Sequence, residues 1–185
     1  AVKRTVDELG SIDILVNAAG VITVSNVENL EEEEWDLTMN VNAKGVFLFS
    51  KAVIPHMKKN KWGRIINVSS IAGKSGFPGL PHYSASKFAV VGFTNSLAKE
   101  LAKDNITVNA ICPGIVRTQM WTLLADVWKQ PGETWDESFA RNIATMIPQG
   151  IEQTPEDMAK LALFFIYSEH VTGQSVNVDG GSMAY

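Results

Sequence analysis

Short runs of apolar and β-branched residues alternate along this chain with longer stretches whose apolar positions recur every three or four residues. Strands buried on both faces read as continuous apolar runs and amphipathic helices keep a period of about 3.6, so the alternation predicts βαβ units and a parallel sheet. The predicted strands are Ile12 to Asn17, Arg64 to Ser69, Ile106 to Cys112 and Ser175 to Val178. Helices are predicted from Val2 to Leu9, Trp35 to about Lys59, His82 to Lys103 and Pro155 to Tyr167.

Several boundaries carry their own chemistry. Thr154-Pro155-Glu156-Asp157 supplies an N-cap residue, a proline at the first helical position and two carboxylates in the first turn, which marks a helix start. The run Glu31 to Glu34 fits the positive end of a helix macrodipole. Pro55 is expected to kink or end its helix. Around Ala52, the residues Val46, Phe47, Phe49, Ser50, Val53, Ile54 and Met57 form one broad face that must pack on the sheet or on another subunit. Trp121, Trp128 and Trp135 stand seven residues apart, but Pro131-Gly132 interrupts any continuous helix. The segment is therefore predicted as two short helices, 119–129 and 134–146, forming a mobile cover over a cleft between about 119 and 150.

A chain of 185 residues with 45% apolar content is read as one domain, 1–185, long enough to bury a core. Its net charge of −4 and scattered basic residues, clustered only at Lys58, Lys59 and Lys61, argue against a nucleic-acid partner. No apolar run approaches the roughly 20 residues that span a bilayer, so no membrane partner is expected. The lone Cys112 reads as a buried small hydrophobe in a reducing cytoplasm. His56, His82 and His170 show no metal-ligand spacing, and no metal site is expected.

The candidate chemistry lies in Tyr83 and Lys87, four apart in HYSASKFAVVGF, with Ser70 thirteen residues ahead of the tyrosine. Positions i and i+4 share a helix face, so the lysine ammonium can sit beside the phenol and is expected to lower its pKa from the usual value near ~10. Asn17, Asn42 and Pro113-Gly114 fall where strands should end. Taken singly, NAAG also reads as a strand end with a permissive turn, Pro113-Gly114 as loop punctuation, and Asn42 as a helix N-cap.

In order and spacing, LVNAAG (15–20), NVNAKG (40–45), NVSS (67–70), YSASK (83–87) and NAICPGIVRT (109–118) resemble the short-chain dehydrogenase/reductase family over nearly the whole chain. The resemblance implies a Rossmann-like, doubly wound parallel α/β sheet and hydride transfer between NAD or NADP and a carbonyl or alcohol. It implies that Tyr83 is the acid/base and that Lys87 lowers its pKa and holds the nicotinamide ribose. Ser70, favoured over neighbouring Ser69, would bond the substrate oxygen, and Asn42 would position a water for proton relay. Asn17, Ala18, Ala19 and Gly20 would pass the adenosine ribose, with Pro113, Gly114, Val116 and Thr118 on the nicotinamide side. The family's opening strand and glycine-rich TGxxxGxG turn have no counterpart in this sequence, which begins at AVKRTVDELG. The expectation is therefore the C-terminal, roughly four-stranded part of the fold, preceded in a parent protein by about 60 to 75 further residues that would include the strand choosing between NAD and NADP.

Three functions are in play. The leading expectation is interconversion of a small secondary alcohol or polyol and its ketone, with Trp121, Trp128, Trp135 and Phe139 enclosing the substrate. An alternative is reduction of a 3-oxoacyl group on an acyl carrier protein. The three cations against four carboxylates between 117 and 150, a net of −1, disfavour an acidic partner. The third is a noncatalytic binding or assembly subunit. Helices 42–59 and 82–103 and the C-terminal VNVDGGSMAY resemble the family's subunit contacts and imply a homotetramer.

Overall fold

In a computed structural model, which describes residues 1–183, four parallel strands stand in the order β1 (Ile14–Asn17), β2 (Gly63–Val68), β3 (Ile106–Pro113) and β4 (Ser175–Val178). Successive strand residues point to opposite faces, and β2 sorts its isoleucines accordingly. Ile65 joins a core with Val53, Met57, Leu97 and Leu101, whereas Ile66 joins one with Ile111 and Phe165. Helices α3 (Gly45–Asn60) and α4 (Pro81–Leu101) therefore cover one face and α7 (Pro155–Tyr167) the other, the Rossmann-like arrangement that the family resemblance implies. Helix α1 (Val2–Leu9) lies beside α3, and β1 forms one sheet edge with Ile14 and Val16 exposed.

The predicted helix from Trp35 to Lys59 is built from three pieces. Helix α2 (Glu32–Met39), with Glu32, Glu33 and Glu34 in its first turn, runs through a π-helical turn (Asn40–Lys44) into α3. Asn42 thus sits inside continuous helix, which removes the N-cap reading. Pro55 does not end α3 either. It lies on the exposed side, so the Lys51 carbonyl it leaves without a donor faces water. The broad apolar face expected around Ala52 is narrower in the structure: Val46, Ser50, Val53 and Met57 are buried at helical spacing, while Phe47 and Phe49 point outward at 43% and 46% exposure.

Helix α7 starts as its sequence dictates, with the Thr154 hydroxyl accepting from the Asp157 amide and the Asp157 carboxylate accepting from the Thr154 amide at 3.0 Å. Helices α5 (Gln119–Val127) and α6 (Trp135–Met146) form the predicted pair, and Thr134 and Glu137 make a second capping box. Three cross-helix bonds stitch the pair: Trp135 Nε1 to the Thr122 carbonyl (3.1 Å), Ser138 Oγ to Ala125 (2.7 Å) and the Arg141 guanidinium to Trp128 (2.7 Å). Donors and carbonyls both advance by three residues, so one line of side chains meets one line of backbone. Of the C-terminal segment expected at a subunit contact, Ala184 and Tyr185 lie outside the described residues.

Candidate active site

The carboxyl ends of β1, β2 and β3 open into a cavity of about 530 Å³, the edge at which open parallel sheets bind ligands. Ser70, Tyr83 and Lys87 all line it. Tyr83 and Lys87 project from the first two turns of α4, while Ser70 follows β2 in an extended conformation with its Oγ accepting from the Ala72 amide at 3.1 Å. Ser69 acts differently. Its buried Oγ donates to the Lys87 carbonyl at 2.9 Å and so fixes α4 against the end of β2.

The Lys87 ammonium donates to the Val68 carbonyl at 3.0 Å and stands 5.6 Å from the centre of the Tyr83 ring. Both groups are buried, and burial dominates their titration. The Lys87 ammonium is lowered to about 8, with Cys112 acting weakly in the other direction. Burial pushes the Tyr83 phenol up to about 12, and the Ser70 hydroxyl pulls it back only in part. In this structure burial sets the direction for the phenol, opposite to the lowering expected from its lysine neighbour.

Asn42 is brought to the same corner but not to the cavity wall. Its Oδ1 accepts from the Val21 amide (2.8 Å), and its Nδ2 donates to the Val21 carbonyl (2.9 Å) and to Ser86 Oγ (3.0 Å), which donates in turn to the Tyr83 carbonyl (2.7 Å). The π-helical turn aims Asn42 inward, a common use of such turns. Asn17 is likewise committed elsewhere. Its buried amide donates to Asn67 Oδ1 at 2.8 Å across the β1–β2 pair, and Asn67 donates to Thr94 Oγ1 at 2.9 Å. The side chain is part of a polar chain inside the sheet, which leaves the backbone of this stretch to pass the adenosine ribose as expected of it.

Ala18 and Gly20 do line the cavity, while Ala19 is exposed beside it. A Cβ on Gly20 would lie 3.5 Å from both Lys87 Nζ and Asn42 Oδ1. Pro113, Gly114, Val116 and Thr118 line the opposite side. Gly114 is required there by close approach, since a Cβ would come within 2.9 Å of the Asp179 backbone. Two backbone stretches with little side-chain bulk thus flank Ser70, Tyr83 and Lys87, a geometry that fits the reactive end of a dinucleotide.

Trp121 and Trp128 face the cavity. Trp135 and Phe139, also expected to enclose substrate, stand behind them. Trp135 stacks on Phe139 with centroids 5.1 Å apart, and Phe139 meets Trp121 edge-on at 6.1 Å. Sequence reasoning missed Ile22, Phe77, Leu80, Met120 and Leu124, which complete a largely apolar wall. No motif marks them, because chain closure alone brings them together. His82, behind Tyr83, is fully buried with a ring nitrogen 2.7 Å from Thr23 Oγ1. Among the described residues no cluster of side chains could hold a metal ion, and no helix is long and apolar enough to cross a membrane.

A parallel sheet with a buried tyrosine, lysine and serine set at its carboxyl edge, between two small-residue backbone stretches, defines a dinucleotide-dependent oxidoreductase. The family profile described as short chain dehydrogenase matches residues 1–127. The chain is 41% identical over 182 residues to the 3-oxoacyl-[acyl-carrier-protein] reductase FabG of Thermotoga maritima, an alignment covering 97% of this chain and 70% of that protein. It is 42% identical over 182 residues to the (2S)-[(R)-hydroxy(phenyl)methyl]succinyl-CoA dehydrogenase subunit BbsD of Thauera aromatica, covering 97% of this chain and 68% of that one. With the oxidoreductase UcpA of Salmonella typhimurium the identity is 42% over 185 residues, covering 98% and 69%. The chain belongs to the short-chain dehydrogenase/reductase family of NAD(P)-dependent oxidoreductases.

Proposed function

We propose that the protein reduces the ketone of a 3-oxoacyl thioester, of the kind carried on an acyl carrier protein, to the 3-hydroxyacyl product. The observation that carries this reading is the placement of Ser70, Tyr83 and Lys87 beside an apolar wall that includes Ile22, Leu80, Trp121 and Leu124. An acyl chain is at home against such a wall. A polyol would set hydroxyls against groups that offer them no partner, so the wall counts against the polyol expected from the sequence. The relatives named for 3-oxoacyl-[acyl-carrier-protein] and acyl-CoA substrates point the same way.

When bound, NAD(P)H supplies a hydride to the carbonyl carbon. The chain handles the proton. Tyr83, whose phenol is neutral at physiological pH and whose pKa is pushed further up by burial, donates its O–H to the carbonyl oxygen, and Ser70 Oγ donates a second hydrogen bond to the same atom. The Lys87 ammonium, held by Val68, stabilises the phenolate left after transfer and would hold the ribose hydroxyls of the bound cofactor. Asn42 acts at one remove as a positioning residue, fixing Val21 and, through Ser86, the first turn of α4. Backbone from Ala18 to Gly20 and from Pro113 to Thr118 holds the cofactor, and the α5–α6 pair covers the substrate and excludes water.

One observation favours a second reading, a free small ketone or secondary alcohol. Every cation on the cover is paired: Arg117 with Glu152 (3.0 Å), Lys129 with Asp126 (2.6 Å) and Arg141 with Glu133 (2.8 Å). The cover therefore offers an acidic carrier no spare positive charge. The exposed apolar side chains Phe47, Leu48, Phe49 and Phe88 on α3 and α4 support assembly with further copies of this chain as a homotetramer. Light scattering would read that assembly directly.

The test is nicotinamide fluorescence titration with NADH and NADPH, followed by cofactor oxidation on an acetoacetyl thioester and on a panel of free ketones and polyols. Turnover of the thioester at least about tenfold above the panel is expected. Preference for a free ketone establishes the second reading, and no nicotinamide binding would reduce the protein to a noncatalytic assembly subunit.

A further inference from the structure

Met120 is the second residue of α5 and carries no motif signal, yet its sulfur is the atom that receives the Tyr83 hydroxyl, with Oη donating to Sδ at 3.7 Å. Its Cε lies 3.9 Å from the point a Cβ on Gly20 would occupy, the same point that is 3.5 Å from the Lys87 ammonium. The thioether therefore spans the space between the phenol and the end of β1, which is the space a carbonyl oxygen must enter to be protonated by Tyr83.

We propose that Met120 is a specificity-determining residue whose thioether fills the place above Tyr83 and must swing aside for substrate, so that its bulk limits branching at the carbon next to the reacting carbonyl. The inference rests on the carbonyl-reduction reading above. Helix α5 is bonded to α6 and held to the body by Trp121, Leu124 and Ala125, which are buried in one cluster with Ile22, Ala72, Leu80 and Ile115. Rotation of the side chain is the displacement that leaves this packing intact. Methionine suits such a movable plug, being unbranched with three rotatable bonds and a sulfur that is a weak acceptor, which a carbonyl oxygen outcompetes. Trp121 and Leu124, buried on the same helix, set the far wall and leave Met120 as the adjustable part.

The test compares Met120→Ala and Met120→Leu with the natural protein on two acetoacetyl thioesters, one unbranched and one 2-methyl-branched. Met120→Ala should raise the branched-to-unbranched ratio of kcat/KM at least about tenfold, the scale of one methylene in an apolar pocket, while volume-conserving Met120→Leu keeps it within about threefold. An unchanged ratio in Met120→Ala overturns the proposal. A second measurement needs no turnover: ultraviolet phenolate titration, with Tyr83→Phe identifying the Tyr83 contribution. Opening the site to water in Met120→Ala should move the Tyr83 midpoint down from about 12 towards the ordinary tyrosine value, and an unmoved midpoint overturns the proposal equally. Failure of the natural protein to reduce any carbonyl would strike the assigned reaction instead, and the titration would still decide whether Met120 covers Tyr83.

Discussion

Replacing Lys87 with methionine should make the protein more stable at neutral pH while removing its catalysis. Lys87 is 4% exposed and its ammonium has one hydrogen bond, to the Val68 carbonyl at 3.0 Å. Burial lowers its pKa from 10.5 to about 8; at about 1.4 kcal/mol per pH unit, holding the charged form in place costs about 3 kcal/mol at pH 7. Methionine keeps most of the volume and removes the charge, but leaves the Val68 carbonyl without that donor, which takes back about 1 to 2 kcal/mol. The net expectation is a gain of about 1 to 2 kcal/mol at pH 7. Between pH 8 and 10.5 the unfolded chain binds more protons at this residue than the folded one, so stability of the natural protein rises with pH across that window. The methionine variant lacks this rise, so its advantage shrinks and is lost by about pH 10. Urea unfolding followed by tryptophan fluorescence at pH 7, 8.5 and 10 measures both quantities. A variant less stable at pH 7, or a difference that does not change with pH, would refute the claim that a costly buried charge is retained for function.

Other substitutions probe other links. Tyr83→Phe should lower kcat at least about 100-fold while leaving the cofactor Kd within about threefold, because only the proton donor is removed; full kcat in steady-state assays would dismiss Tyr83 as the acid. Phe139→Ala removes the ring that buttresses Trp121 and stacks on Trp135 and should cost about 3 to 5 kcal/mol in urea unfolding. A loss below about 1 kcal/mol would show that the cover is not packed against the core. Asn67→Ala breaks the bonds to Asn17 and Thr94 inside the sheet and should cost about 2 to 3 kcal/mol. Combined with Asn17→Ala the loss should be well short of additive; strict additivity would deny the coupling.

Local rules made most of the architecture readable. The Thr154 start, the four strands read from the alternation and the paired helices around Pro131-Gly132 each depend on residues near in sequence, and the structure reproduces them within a few residues. What escaped depends on distant packing. The π-helical turn at Asn40–Lys44 exists because Asn42 must reach Val21 and Ser86, contacts spanning 21 and 44 residues. Asn17 was legible as a strand end, but the partner that takes its side chain, Asn67, is fifty positions away. Met120 had no signal at all, since one methionine at a helix start is indistinguishable from packing until Tyr83 is placed against it.

The direction of the phenol shift follows from the same distinction. The i, i+4 spacing of Tyr83 and Lys87 specifies that an ammonium is near the ring, but their burial comes from elsewhere in the chain, from α5 over Tyr83 and from the ends of β1 and β2 around Lys87. Desolvation acts on each partner's charged form, raising the tyrosine and lowering the lysine. The result is a neutral phenol beside a lysine that is still mostly protonated at pH 7. Reduction requires that pairing: a carbonyl gaining a hydride needs an acid that has kept its proton and a positive charge to stabilise the phenolate it becomes. Alcohol oxidation would need the phenolate at the outset, which the same burial disfavours. The same pair run in reverse, with the phenolate taking the proton back beside the ammonium, would serve alcohol oxidation at higher pH.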